Sequence, residues 1–287
     1  MGVFLPASKD TNDYWHYPIT GIDRAIDEIS DHGINVKHYF FDLNSIRDFE
    51  SKGAEVLKDK PNFLITAPIF DDIQTELFKG FDSLNIKYVL IDSDVSGSSR
   101  ISYVGQHTER SGRVAGRLMQ SLIPREAGIL TVNILSGSDI TPVIQKRIEG
   151  FKKYIQEEMP ESQVEEMIIQ LPDESMSGLV EVIQKGNIKG LFVPGSKSHL
   201  IAQFLQDNNI NGVKIVGYDL IEGNIACLKN DSISYLISQR PAKQGYHGIM
   251  SLFNYLVKKE TDQNNILLPI DIILKENVDD YISSIQL

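Results

Sequence analysis

The stretch VKIVGYD, Val213 to Asp219, sets β-branched residues in a row and closes on a tyrosine and an aspartate. Valine and isoleucine at this density fit a buried strand. A carboxylate at the end of such a strand is costly to bury unless a ligand or a cation answers it, or unless it caps the next helix. Outward from this stretch, GLFVP (190–194) and ISYLIS (233–238) read as further strands, and HLIAQFLQDNN (199–209) reads as a helix. Strands alternating with helices at this spacing predict a parallel sheet with right-handed crossovers and helices on both faces.

The alternation runs through the chain twice. In the first 106 residues the strand candidates are VFLPA, NVKHYFF, FLITAP, KYVLID and ISYVG. Between them ITGIDRAIDEISDHG sets Ile19, Ile22, Ile26 and Ile29 on one helical face and ends at Gly33, a natural cap. Further helices are expected over 46–57 and 71–84. From His107 the pattern restarts with TERSGRVAGRLMQSLI, GILTVNIL, VIQKRIEGFKKYIQEE, QVEEMIIQ and SGLVEVIQKG. A helix from about Lys243 to Lys258, a polar turn KKETDQNN and a last strand NILLPIDIIL complete the chain. The fold class is therefore α/β, with two doubly wound parallel-sheet lobes and no low-complexity linker between them. In open α/β sheets ligands bind beyond the carboxyl ends of the strands, so the residues that follow each strand are the functional candidates.

Composition narrows the function. The 287 residues carry a net charge of −11, which disfavours holding nucleic acid or an anionic membrane by this chain's own surface. A single cysteine, Cys227, excludes an internal disulfide and a multi-cysteine metal site and fits a reducing compartment. The first residues, MGVFLPASKD, lack the charged and apolar regions of a secretory signal and already read as a strand, which suggests a natural start further upstream.

After the first strand comes NDYWHY, residues 12–17, where Asn12 offers hydrogen bonds and Tyr14, Trp15 and Tyr17 offer flat faces for a sugar or a base. The alternative is that these aromatics cap the next helix and seal the lobe edge. IDSDV brings Asp92 and Asp94 to a strand end, where a carboxylate accepts ring hydroxyls or closes a turn. His107 opens the second run as a ligand donor or an ordinary helix-start residue; with no second histidine at i+3 or i+4 in that helix, no metal is expected. Arg147, in RIEGF, carries a planar fork suited to ring oxygens or an acid. Gln239, in SQRP, is a strand-end amide with a donor and an acceptor. Walker A, G-x-G-x-x-G, G-x-S-x-G and H-E-x-x-H patterns are all missing, so neither an enzyme nor a cofactor site is expected.

Taken in order, NDYWHY, IDSDV, RIEGF, VGYD and ISQRPAKQG resemble the type I periplasmic-binding-protein fold over essentially the whole chain, and in particular the effector domain of LacI/GalR-type transcriptional regulators. The resemblance implies a small ligand, usually a sugar, held between two lobes linked by three crossings near Gln106, Gln239 and Pro269. Lobe one would then be residues 1–106 plus 240–268, and lobe two 107–239 plus 269–287. It further implies that Asn12, Tyr14, Trp15, Asp92, Arg147, Asp219 and Gln239 contact the ligand. As a LacI-type regulator the protein would be a cytoplasmic homodimer, reading operator DNA through a basic helix-turn-helix domain upstream of this chain. The other reading is an extracytoplasmic sugar-binding protein of a transporter or membrane sensor. Two departures from the family pattern, His107–Thr108 and Gly195–Ser196, replace familiar hydroxyl anchors and weigh against a simple ribose or galactose assignment.

Overall fold

The computed structural model describes residues 1–95, 97–135, 141–171, 176–258 and 265–285. The turn read in LSGSD and most of the polar turn KKETDQNN lie outside the described residues. In chain order the elements are β1 (Gly2–Phe4), α1 (His16–Glu28), β2 (Lys37–His38), α2 (Ile46–Asp59), β3 (Phe63–Thr66), α3 (Asp71–Ser83), β4 (Lys87–Ile91) and β5 (Ser102–Gly105). There follow α4 (Thr108–Gln120), β6 (Gly128–Leu135), α5 (Pro142–Glu158), β7 (Val164–Gln170), α6 (Met176–Lys185), β8 (Ile188–Phe192), α7 (Ser198–Asp207), β9 (Lys214–Tyr218), α8 (Glu222–Lys229) and β10 (Tyr235–Ser238). The chain ends with α9 (Pro241–Lys258), β11 (Asn265–Leu267), β12 (Asp271–Ile273) and α10 (Val278–Ile285).

Two compact units contain these elements. Met1–Gln106 and Arg240–Pro269 form most of the first; His107–Ser136, Val143–Gln239 and Ile270–Leu287 form the second. The first holds a six-stranded sheet in the order β11-β5-β4-β3-β1-β2, and the second one in the order β12-β10-β9-β8-β6-β7. Their pairs are parallel except β10 with β12, which is antiparallel. The two units are thus α/β with mostly parallel sheets, the architecture expected of a doubly wound fold.

The sequence explains these elements locally. Ile22 and Ile29 of the α1 stripe are buried in the first core, and Ser45 caps α2 by accepting from the Asp48 amide. Strand β6 shows how a two-sided sheet is filled: Ile129 packs with α4 and α5 residues such as Met119 and Phe151, while Leu130 and Val132 pack with Leu179 and Ile201 of α6 and α7.

Four details differ from the sequence reading. NILLPIDIIL is two strands, because Pro269 has no amide hydrogen to continue a ladder, and β11 and β12 join different sheets. NVKHYFF keeps strand geometry only at Lys37–His38, with a further bridge from Phe41 to Pro6. Gly33, at φ +66°, ends a short 3-10 turn (Ser30–His32) rather than α1 itself. Helices α8 and α10 are additional; α8 follows VGYD so closely that its eight residues hide in the turn.

Candidate functional site

In the first unit the candidate residues converge on the end of β4. Asp92, immediately after that strand, adopts φ +65°, a left-handed conformation that aspartate tolerates better than most residues. Its amide donates to the Val104 carbonyl at 3.2 Å and to Gln244 Oε1 at 2.8 Å. Its carbonyl accepts from the Tyr103 hydroxyl at 3.0 Å, and its carboxylate Oδ1 accepts from the Tyr14 hydroxyl at 2.8 Å. One strand-end carboxylate is therefore fixed from the loop before α1, from β5 and from α9.

The other residues of that loop divide. Trp15 is only 4% exposed and belongs to the apolar core, its ring edge-on to Tyr14. Its amide donates to Asp13 Oδ1 at 2.9 Å and it stands as the residue before α1, so it seals the lobe and starts the helix. Tyr17 donates its hydroxyl to the Thr11 carbonyl at 3.1 Å, and the exposed Asn12 donates its amide to Asp10 Oδ1 at 2.7 Å. Asp94 is held by Arg100 through two hydrogen bonds of 2.5 and 2.8 Å, which makes it a loop-closing group.

The second unit carries the more connected set. Asp219 follows β9 with φ +68° and is 3% exposed. The amide of Gln239 donates to both Asp219 carboxylate oxygens at 2.9 and 3.2 Å. Arg147 in turn donates from Nη2 to Gln239 Oε1 at 2.6 Å and from Nη1 to the Pro194 carbonyl at 2.8 Å. Its guanidinium also lies over the Tyr218 ring, 4.0 Å from the centroid, a cation–π contact strengthened by burial. The glutamine thus relays a buried cation to a buried anion, and each charge has the partner that burial demands. His107 instead stands at the start of α4, where its ring Nδ1 accepts from the Arg110 amide at 3.4 Å. The structure gives it a helix-capping contact.

Residues that drew no attention in the sequence support this set. Asn224, fully buried, donates to the carbonyls of Ser196, Tyr218 and Asp219 at 2.8, 2.8 and 3.0 Å, and accepts from the His199 amide at 2.8 Å. It pins the left-handed turn at Asp219 from α8. Asn224→Ala leaves these carbonyls short of a buried donor, so a loss of about 2 kcal/mol is expected, read as a lowered melting midpoint. The Tyr218 hydroxyl shares a 2.8 Å hydrogen bond with Ser111. Burial pushes the Tyr218 phenol up to about 12, against the opposing charge of Arg147. Because the folded value lies above the ordinary 10, this stabilisation is complete below pH 10 and is lost as pH rises toward 12. Tyr218→Phe should therefore unfold less steeply than the wild type between pH 10 and pH 12, measured by circular dichroism.

The two strand ends are counterparts. KYVLID (87–92) and KIVGYD (214–219) occupy the same place in the two sheet orders, and each closes on an aspartate with positive φ. The adjoining helices repeat as well. A Cβ on Gly21 of α1 would lie 1.8 Å from the Ala242 carbonyl oxygen of α9, and one on Gly245 of α9 would lie 2.0 Å from the Pro18 oxygen of α1. In the second unit a Cβ on Gly150 of α5 would lie 2.0 Å from the Glu109 oxygen of α4, and one on Gly112 of α4 would lie 2.0 Å from the Arg147 oxygen of α5. Each unit thus crosses two helices at backbone contact. In both, the touching carbonyl sits three residues before a glycine, so Pro18 and Arg147 hold equivalent positions. Gly150 of RIEGF lets the backbone of α5 meet the Glu109 carbonyl of α4.

Comparison with known proteins follows the same lines. Residues 2–260 match the family described as Periplasmic binding protein domain. No curated protein matches the sequence. A candidate LacI transcriptional regulator from Bacteroides fragilis is similar in structure, with 27% identity, TM-score 0.89 and 98% of each chain covered. An ABC transporter solute-binding protein from Burkholderia graminis in complex with D-arabinose has 17% identity and TM-score 0.85, covering 98% of this chain and 96% of its own. Another from Agrobacterium vitis, bound to α-D-tagatopyranose, has 20% identity and TM-score 0.82, covering 99% and 97%. The last two likenesses speak to the fold alone.

Proposed function

Because the chain belongs to the periplasmic binding protein domain family, we propose that it binds a small carbohydrate and serves as the effector domain of a LacI-type transcriptional regulator. The observation that carries the binding is the Asp219–Gln239–Arg147 relay, a strand-end carboxylate, amide and guanidinium held ready for hydroxyl groups. Asp92, buttressed by Tyr14, is its counterpart in the first unit. This is binding chemistry: a sugar hydroxyl donates to the Asp219 carboxylate, and Arg147 donates to a ring or hydroxyl oxygen.

The regulator assignment draws on the Bacteroides fragilis protein, whose 27% identity extends over 98% of both chains. In this reading a basic helix-turn-helix domain upstream binds operator DNA, the protein is a cytoplasmic homodimer, and the sugar changes operator affinity by favouring one of two conformations. The acidic charge of this chain then leaves DNA contact to the fused domain. A second reading, an extracytoplasmic sugar-binding protein of a transporter or sensor, draws on the arabinose- and tagatose-bound solute-binding proteins. Intact mass and N-terminal sequencing of the native gene product separate the two. A basic helical segment ahead of Met1 supports the regulator, and a processed signal segment supports the receptor.

A further inference from the structure

Asn133 of β6 is 2% exposed, and among the described residues neither its Oδ1 nor its Nδ2 has a hydrogen-bond partner. A buried amide left unpaired at both ends costs stability, and a fold retains one where something outside the protein completes it. Resting on the carbohydrate reading above, we propose that Asn133 and the Nε of Arg147 form a subsite that reads one hydroxyl of the sugar and so sets its specificity.

The sheet register places the two groups together. Thr131 of β6 pairs with Phe192 of β8, which pairs with Val216 of β9. Continued two residues along each strand, that register carries Asn133, Pro194 and Tyr218 onto one line across the sheet. Arg147 donates to the Pro194 carbonyl and covers the Tyr218 ring, so its guanidinium stands over the two members of that line next to Asn133. Asn133 shares the face of β6 that Ile129 presents to α4 and α5, the side from which Arg147 arrives. Arg147 Nε is itself buried and without a partner. Three unmet groups, one acceptor and two donors, therefore belong to the same face of the sheet near its carboxyl end. A hydroxyl, which both donates and accepts, matches them; a carboxylate would leave Oδ1 unmet and an ammonium would face Arg147.

The other unit shows what the fold needs at this place. Phe63 pairs with Lys87 as Gly190 pairs with Lys214, and Gly2 pairs with Leu64 as Leu130 pairs with Leu191. Counting on three residues makes Leu5 the equivalent of Asn133, and Leu5 is fully buried in the first core. Leucine, of nearly the same size, fills the position where no polar group is wanted.

The test is calorimetric titration of wild type and Asn133→Leu with D-arabinose, D-tagatose, D-ribose, D-glucose and D-galactose, then with monodeoxy derivatives of whichever sugar binds. The subsite predicts that Asn133→Leu weakens the parent sugar about tenfold or more, while one monodeoxy derivative binds both proteins equally. Unchanged affinity for the parent sugar, with a raised melting midpoint, would overturn the subsite and leave the carbohydrate reading standing. A wild type that binds none of the sugars would remove both. Should Asn133→Leu fail to fold, Asn133→Asp keeps the shape and loses the Nδ2 donor. Weaker parent binding with the same deoxy derivative unaffected supports the subsite, and unchanged binding of both rejects it.

Discussion

Asp219→Ala is expected to abolish measurable sugar binding while the protein stays folded. Truncating one member of a buried, hydrogen-bonded charge system costs about 2–5 kcal/mol, which lowers affinity at least thirtyfold at the small end and beyond detection for a micromolar ligand at the large end. The reason lies in the relay. Gln239 is oriented by donating to both oxygens of the Asp219 carboxylate, and it holds Arg147 through its own oxygen. Without the anion the amide is free to turn, and Arg147, only 4% exposed, loses the negative charge that its burial depends on. Asp219→Asn keeps the turn and the shape and should fall between. Calorimetry with the wild-type sugar gives the binding change, and circular dichroism separates it from unfolding; wild-type affinity in a folded Asp219→Ala would dismiss the site.

Gly112→Ala carries the largest expected effect on stability. Its new Cβ would stand 2.0 Å from the Arg147 carbonyl oxygen, and that oxygen belongs to helix backbone, which has no rotamer to change. The helices α4 and α5 must part, and overpacking on this scale costs about 3 kcal/mol, a fall in melting midpoint of roughly 6–12 °C for a unit of this size. Binding should weaken with it, because the residue pushed aside is Arg147. Gly178→Ala in α6 is the matched control. Among the described residues its Cβ would meet only Met167 Cε at 3.7 Å, so the higher helix propensity of alanine should raise stability by about 0.5–1 kcal/mol. Equal midpoints for the two variants would refute the close-crossing argument.

Much of this was legible because strand and helix periods are local signals. VGYD and SQRP each put a polar residue where an apolar pattern stops, RIEGF puts an arginine inside a helix, and the structure joins Asp219, Arg147 and Gln239 in one hydrogen-bonded chain. Trp15 misled for a physical reason: an aromatic run in a polar loop looks solvent-facing in sequence, whereas the chain turns at Asp13 and carries the indole into the core. Asp94 was equally ambiguous, since Arg100 lies six residues on and no pattern announces their pairing. The supporting residues were invisible. Gln244 sits inside a helix, Asn224 in a short helix that reads as a turn, and Asn133 inside the strand GILTVNIL, where one polar residue among apolar ones reads as strand alternation. Only the burial and the registers show that Asn133 is enclosed at a position equivalent to that of a leucine in the first unit.

Binding of a sugar at Asp219 is tested most directly by titration of the purified protein with D-arabinose, D-tagatose, D-ribose, D-glucose and D-galactose, alongside a folded Asp219→Ala. At least one sugar is expected to bind the wild type one to one. That sugar should raise the melting midpoint, with about 2.7 kcal/mol of stabilisation at a hundred times the dissociation constant, and it should not bind Asp219→Ala. A folded wild type that gives no heat and no thermal shift with any of them would refute sugar binding, and a sugar bound equally well by Asp219→Ala would refute the site.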